Sequence, residues 1–365
     1  MKIKGLRLDP GYLYDSIFVN KGIVNAPSAA RVVVADAVAM GIDTIFVSAY
    51  NPVYGAYYPT TWSKTIVEGG FGKGDLLKYL LEAATAVGIK VVAWLPVNTF
   101  KHAWTAFPDW RSKKKDGTDY KPDANVFLLS AWHDGFQAWY KGFLEDLIGR
   151  YPSLYALEAG EGMVDFFWNR AADYNPIAKK KFAVAYPNAA LGDASWRKHR
   201  AEGLTKLHAI LSEVAHTAGK KSMVVQTWSA KNDVGGSLMT SSEIMNGCGF
   251  DFDGILNLTG TAKPDFIIGE FMWQQWRAEY NNPIFTPAWT GIAVREFVGR
   301  VKGRGEAVGH IELSPFGSVT PTTEQFVETL SHAWLATGGL DFYDYNLVFK
   351  QSAFEAIKRT LPALV

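Results

Sequence analysis

Residues Leu154–Phe166 read LYALEAGEGMVDF, a short apolar run that ends in two carboxylates, Glu158 and Glu161, around Gly160. The chain on either side of it repeats one rhythm, a short apolar strand followed by a longer amphipathic helix. That alternation implies parallel strands joined by crossover helices. With LYALE as the fourth of eight such strands, the fold class expected is α/β, a (β/α)8 barrel with long βα-loop insertions and its chemistry at the C-terminal strand ends.

Working outward, strand 1 is expected at Gly5–Asp9, with Arg7 and Asp9 on one face and Leu6 and Leu8 on the other. TIFVSAY, KVVAWLPV, LYALE and SMVVQTW follow as strands 2 to 5. Helices are expected at Pro27–Met40, Asp75–Val87, Asp134–Gly149 and Arg200–Ala218, most of them closed by glycine. FDGILNL, FIIGEFMW and IFTPAW compete for strand 6. FIIGEFMW is chosen because it follows Lys263-Pro264-Asp265 and ends in Glu270 and Trp273. Phe285–Trp289 then falls in a loop and Ile292–Val301 in helix 6. GHIELSP, a helix at Thr322–Ala336, LDFYDYN and a closing helix at Ser352–Thr360 complete the barrel. One domain, 1–365, is expected, with an insertion at 162–196 after strand 4 and a loop at 274–291 after strand 6.

A length of 365 residues suits two average domains, but barrels of this size are routinely one. A formal net charge of +1 argues against nucleic acid or an anionic membrane as partner. Lys113–Lys115 and Lys179–Lys181 are read as solvated loop charges. The single cysteine, Cys248, excludes an internal disulfide and a cysteine-based metal cage. No stretch approaches the roughly 18 apolar residues of a membrane span. Met1 leads almost directly into a strand, so the protein is expected to be exported with its leader removed, or else cytoplasmic. Oligomeric state is left open. The 13 Trp, 16 Tyr and 22 Phe either fill a large core or offer sugar rings a stacking surface.

The strand ends carry the candidate site. Strand 1 offers Asp9, Tyr12 and Tyr14, strand 2 Tyr50, and strand 3 Trp94 and Asn98. Strand 4 offers Glu158 and Glu161, strand 5 Gln226 and Trp228, and strand 6 Glu270 and Trp273, with Trp289 nearby. Strand 7 contributes Glu312 and strand 8 Tyr343 and Asp344. Flat rings and amides at so many ends suit a polyhydroxylated ligand, so the expected partner is a carbohydrate. Hydrolysis of a glycosidic bond needs two carboxyl groups flanking it. In strand 7, His310 and Glu312 share a face opposite Ile311 and Leu313, which directs Glu312 into the barrel mouth.

Each residue has a plainer reading. Arg7 and Asp9 form a buried ion pair or Asp9 meets substrate, and Glu158 acts directly or only positions its neighbours. Glu161 is catalytic or a surface loop acid, and His310 is a hydrogen-bonded residue of a lower layer. Trp94, Trp228, Trp273 and Trp289 are core or platform. No HxH, HExxH or Cys/His spacing is present, so no metal and no cofactor are expected. GKGD at 72–75 lacks the phosphate-loop pattern and reads as a helix start.

KIKGLRLDPGYLYD, GIDTIFVSAY, GIKVVAWLPV, then FPDW and RYP, in that order, resemble the family-10-like glycosyl hydrolases. They also resemble the C-terminal hydrolase domain of poly-N-acetylglucosamine deacetylases. The likeness is fullest over Ile3–Asp165, with HIELSPFG and LDFYDYN in the expected places. It implies a (β/α)8 barrel acting on polysaccharide, and export. Those relatives close strand 4 with paired aspartates, whereas Glu158-Ala159-Gly160-Glu161 stands here, closer to the acid/base segment of clan A glycosidases. In that clan an Asn precedes the acid. Gly160 occupies its place, leaving a 2-hydroxyl contact to Asn98 or Gln226. The expectation is an endo-acting, retaining glycoside hydrolase with Glu161 as acid/base and Glu312 as nucleophile, Glu158 and Glu270 being the substitutes. The alternatives are a non-catalytic polysaccharide-binding barrel and a transglycosylase using the same acids.

Overall fold

A computed structural model describes residues 2–364 apart from 161, 163, 165–170, 228–229 and 314–318. Eight parallel strands close into a barrel. They are β1 (Lys4–Leu8), β2 (Thr44–Ser48), β3 (Lys90–Leu95), β4 (Ala156–Ala159), β5 (Lys221–Thr227), β6 (Phe266–Glu270), β7 (Glu306–Glu312) and β8 (Leu340–Tyr343). β8 pairs with β1 to complete the ring. FIIGEFMW does supply strand 6, and FDGILNL is instead a short helix, Phe252–Leu256, capped by Asp251.

A principal helix follows each strand: α1 (Ala26–Ala39), α2 (Leu76–Ala86), α3 (Asp134–Arg150), α4 (Ala194–Thr217), α5 (Ser241–Cys248), α6 (Pro287–Val301), α7 (Thr323–Thr337) and α8 (Phe354–Thr360). Their starts are chemically marked. Asn25 and Ser28 form a capping box on α1, Thr322 and Gln325 another on α7, each such cap being worth about 1 kcal/mol.

The side chains alternate as strands demand. Ile3, Phe46, Val92, Ala156, Met223, Val225, Phe266, Ile268 and Val308 fill the barrel interior as one apolar cluster. At the alternate strand positions Leu6, Leu8, Ile45, Val47, Val91, Ala93, Ile267 and Ile311 pack outward in the cluster that includes the helices. Gly5 makes room in the interior, because a Cβ there would lie 2.6 Å from Asp341 Cβ and 2.6 Å from a Phe46 ring carbon.

Several expected boundaries move. α4 starts at Ala194 rather than Arg200, because Asp193 accepts from Trp196 N and caps it. α6 starts at Pro287 rather than Ile292, with Thr286 as cap and proline in the first turn, so IFTPAW straddles loop and helix. The stretch 274–291 is no plain loop, since Trp273–Tyr280 is helical. LDFYDYN divides at Asp344, which caps a helix at Tyr345–Lys350. The insertion after β4 carries its own helix, Pro176–Ala185. Among the described residues no helix is long and apolar enough to cross a membrane.

Candidate active site

Register decides which inward side chains meet. Glu270 stands beside His310 between β6 and β7, His310 beside Asp341 between β7 and β8, and Asp341 beside Gly5 between β8 and β1. Across the barrel, Trp94 stands beside Glu158 between β3 and β4. The polar layer these residues make sits above the apolar barrel floor.

Arg7 ties that layer together from its centre. Its Nη1 donates to Glu158 Oε1 at 2.8 Å, and its Nε donates to Asp341 Oδ1 at 2.7 Å. Trp94 and Phe46 flank the guanidinium, with ring centroids at 5.2 and 5.1 Å. All three charged groups are buried. Burial disfavours the Arg7 cation, but Asp341 and Glu158 reverse this and hold it well above its usual range. Burial pushes the Glu158 carboxyl up to about 7 against the pull of Arg7. A carboxyl so placed holds the guanidinium and has little freedom to reach a substrate. The pairing of Arg7 with Asp9 does not occur: its partners come from β4 and β8.

His310 is the second cation of the layer. Burial works against its charged form, yet Asp341 raises the ring to about 10. Nδ1–H donates to Asp341 Oδ1. Arg7 Nε lies 3.0 Å from the same ring nitrogen. With that nitrogen carrying a proton, the Arg7 hydrogen goes to Asp341, and one carboxylate holds both cations. Nε2 of His310 faces the mouth, 3.5 Å from Glu312 Oε1 and 3.8 Å from Glu270 Oε1.

Above this layer opens a cavity of about 790 Å³. Glu312, Glu270, Asp9, Tyr50, Trp94, Asn98 and Tyr343 line it, as do Arg7 and His310 below. Trp94 and Tyr343 meet edge to face with ring centroids 6.2 Å apart. Gly160 also lines it: a Cβ there would lie 2.6 Å from Trp94 Nε1 and 2.9 Å from Leu95 O. Two other cavities lie on the outer face of the helical layer, one around Asp75 and Arg150 and one around Lys141 and Thr217.

The remaining expected residues fall elsewhere. Glu161 and Trp228 lie outside the described residues. Gln226 follows Val224 to the outward face of β5, and its neighbour Val225 takes the place on the cavity wall. Trp273 is core: its Nε1 donates to Thr329 Oγ1. Trp289 is core as well, 2% exposed, with Nε1 donating to Gly236 O. Each ring follows the first turn of a helix inward, which is why neither is a platform. Tyr14 lies outside the cavity and stacks on Phe71 at 4.2 Å, while Tyr12 is half exposed beneath the Lys350 ammonium. Asp344 is buried as a cap, accepting from Leu347 N, and burial pushes it up to about 7. Burial likewise raises Asp9, whose Oδ1 accepts from Gly11 N.

Asp341 and the central role of His310 are not evident in the sequence. The alternation of LDFY already puts Asp341 and Tyr343 on one face, but its partnership with His310 needs the β7–β8 register. The expectation of no metal rests on spacing within one segment. The structure gathers Glu270, His310 and Glu312 from two strands, with one donor atom of each within 4.8 Å of the others.

No protein-family model matches the chain, and neither does any curated protein. Solved structures do share its fold. The PgaB (BpsB) glycoside hydrolase domain from Bordetella bronchiseptica is 15% identical over 98% of both chains, with a TM-score of 0.69. The endo-1,4-beta-mannanase from Rhizomucor miehei is 14% identical over 98% of this chain and 95% of its own, with a TM-score of 0.53. The beta-galactosidase from the psychrophilic Marinomonas ef1 is 11% identical, covers 94% of this chain and 54% of its own, and has a TM-score of 0.64. The expected likeness to glycosyl hydrolase barrels agrees with these neighbours, and at such identities what is shared is the fold.

Proposed function

We propose that the chain is a glycoside hydrolase that cleaves a polysaccharide or oligosaccharide in the barrel mouth. The observation that carries the reading is the placement of Glu312. Its carboxylate reaches the cavity from the end of β7, with Glu270 facing it from β6 and His310 held at its back. A fixed carboxylate at the base of a cavity walled by Trp94, Tyr343, Tyr50 and Asn98 is what attack on a ring-bound anomeric carbon requires. The cavity also lies within the about 300–1,000 Å³ usual for small-ligand sites. Structural neighbours that are a glycoside hydrolase domain, a mannanase and a galactosidase support the same class.

In this reading Glu312 is the nucleophile and forms a glycosyl ester as the glycosidic oxygen departs. Glu161, next in sequence after Gly160, protonates that oxygen and then takes a proton from the attacking water. The product retains its configuration. Glu270 takes the acid's part if the Glu161→Gln variant keeps its rate. In the same reading cleavage is internal, and the first products are oligosaccharides of mixed length. The test is reducing-end release from a broad glycan panel. Cleavage by the wild type with its loss in Glu312→Gln supports the reading. Glycan binding with no release of reducing ends, at any substrate, replaces it with a non-catalytic binding barrel.

A further inference from the structure

We propose that Glu270, His310 and Glu312 form a site for one divalent cation of the zinc class, and that filling it silences the hydrolysis. The second half rests on the hydrolase reading above; the binding half does not.

Geometry is the first support. One donor atom from each side chain lies within 4.8 Å of the other two. His310 Nε2 stands 3.5 Å from Glu312 Oε1 and 3.8 Å from Glu270 Oε1. Donors at about 2.0–2.2 Å from a tetrahedral zinc ion stand about 3.4 Å from one another. Small rotations of the two glutamates therefore bring all three onto one ion. The fourth position faces the cavity, which leaves it to water or to a ligand.

The arrangement behind the ring is the second support. Asp341 accepts from Nδ1 of His310, so Nε2 is the nitrogen turned to the glutamates. A carboxylate behind an imidazole is the usual outer partner of a metal-bound histidine, fixing both its tautomer and its plane. The donors sit on adjacent barrel strands with Glu270 and His310 paired in register, so their backbone is rigid. An entering cation replaces the proton on Nε2 while Asp341 keeps the other.

Charge is the third. The layer holds four carboxylates, Glu158, Asp341, Glu270 and Glu312, against Arg7 and His310, so a dication at Nε2 brings the sum closer to balance. One imidazole with two carboxylates suits zinc, cobalt or manganese. The ion would hold the carboxylate with which Glu312 attacks sugar, and cleavage would stop.

The experiment strips the protein with EDTA, adds Zn²⁺ alone near neutral pH, and measures bound zinc and glycan cleavage in parallel. About one zinc per chain is expected in the wild type, and none in folded Glu270→Gln or His310→Gln. Asp341→Asn should weaken binding by about 10–100-fold. A Co²⁺ visible spectrum on the wild type reads the same ligand set without any variant. Cleavage should fall as the site fills and return with EDTA. No zinc on the wild type, or zinc retained by both variants, overturns the site. Full cleavage at saturating zinc overturns the silencing. A protein that cleaves no glycan refutes the hydrolase reading instead, and the zinc count still decides the site.

Discussion

Arg7 Nη1 donates to Glu158 Oε1 at 2.8 Å, deep in the barrel, so the acid that ends the apolar run of β4 is bound to a guanidinium on β1. This contact makes Glu158 part of the layer on which the mouth rests. Removing the cation leaves Glu158 buried without its partner and Asp341 with His310 alone, at a cost of about 3–5 kcal/mol. Arg7→Met should therefore lower the urea midpoint sharply. A variant as stable as the wild type would show that the layer does not depend on this pair.

The pH dependence of stability is expected to carry the mark of Asp344. Burial raises its carboxyl from 3.8 to about 7, over the opposing hydrogen bonds from Leu347 N and Asn346. The folded state thus holds the proton more tightly than the unfolded one. The contribution is complete below the unfolded value and is lost as pH rises through the folded one. Glu158, raised from 4.5 to about 7, acts with the same sign. Asp344→Asn removes one of the two, so its thermal midpoint should fall less than that of the wild type between about pH 4 and about pH 8. Parallel curves for the two proteins would contradict this assignment.

Tryptophans that read alike in the sequence should respond differently to substitution. Trp289→Ala empties a buried site and is expected to cost about 3–5 kcal/mol with KM unchanged. Trp94 lines the cavity, so Trp94→Ala should raise KM, by up to about tenfold for the ~0.5–1.5 kcal/mol of an aromatic contact. Steady-state kinetics beside urea unfolding separates the two. A KM effect from Trp289→Ala would return that ring to the site.

Much of the fold and part of the site are legible because strands alternate. HIEL and LDFY each announce an inward set, and Glu312 and Tyr343 are where that pattern puts them. What escapes depends on neighbours that alternation cannot see. Arg7 and Asp9 share a face, but two residues climb about 6.6 Å along a strand, so Arg7 finds its carboxylates across the barrel in Glu158 and Asp341. Glu270 and His310 are 40 positions apart and meet only through the β6–β7 register. Gln226 stands near a strand end, which suggests the site, yet its parity with Val224 sends it outward. Trp273 follows β6 closely and Trp289 lies in what reads as the loop beyond it, but each sits in the first turn of a helix that carries the ring into the core.

The central claim is that the carboxylate at the end of β7 does the chemistry, and Glu312→Gln tests it most directly. Folded and still able to bind glycan, this variant should release reducing ends several powers of ten more slowly than the wild type, since an amide at 312 cannot form the glycosyl ester through which cleavage runs. A folded Glu312→Gln protein that cleaves at the wild-type rate would contradict the account.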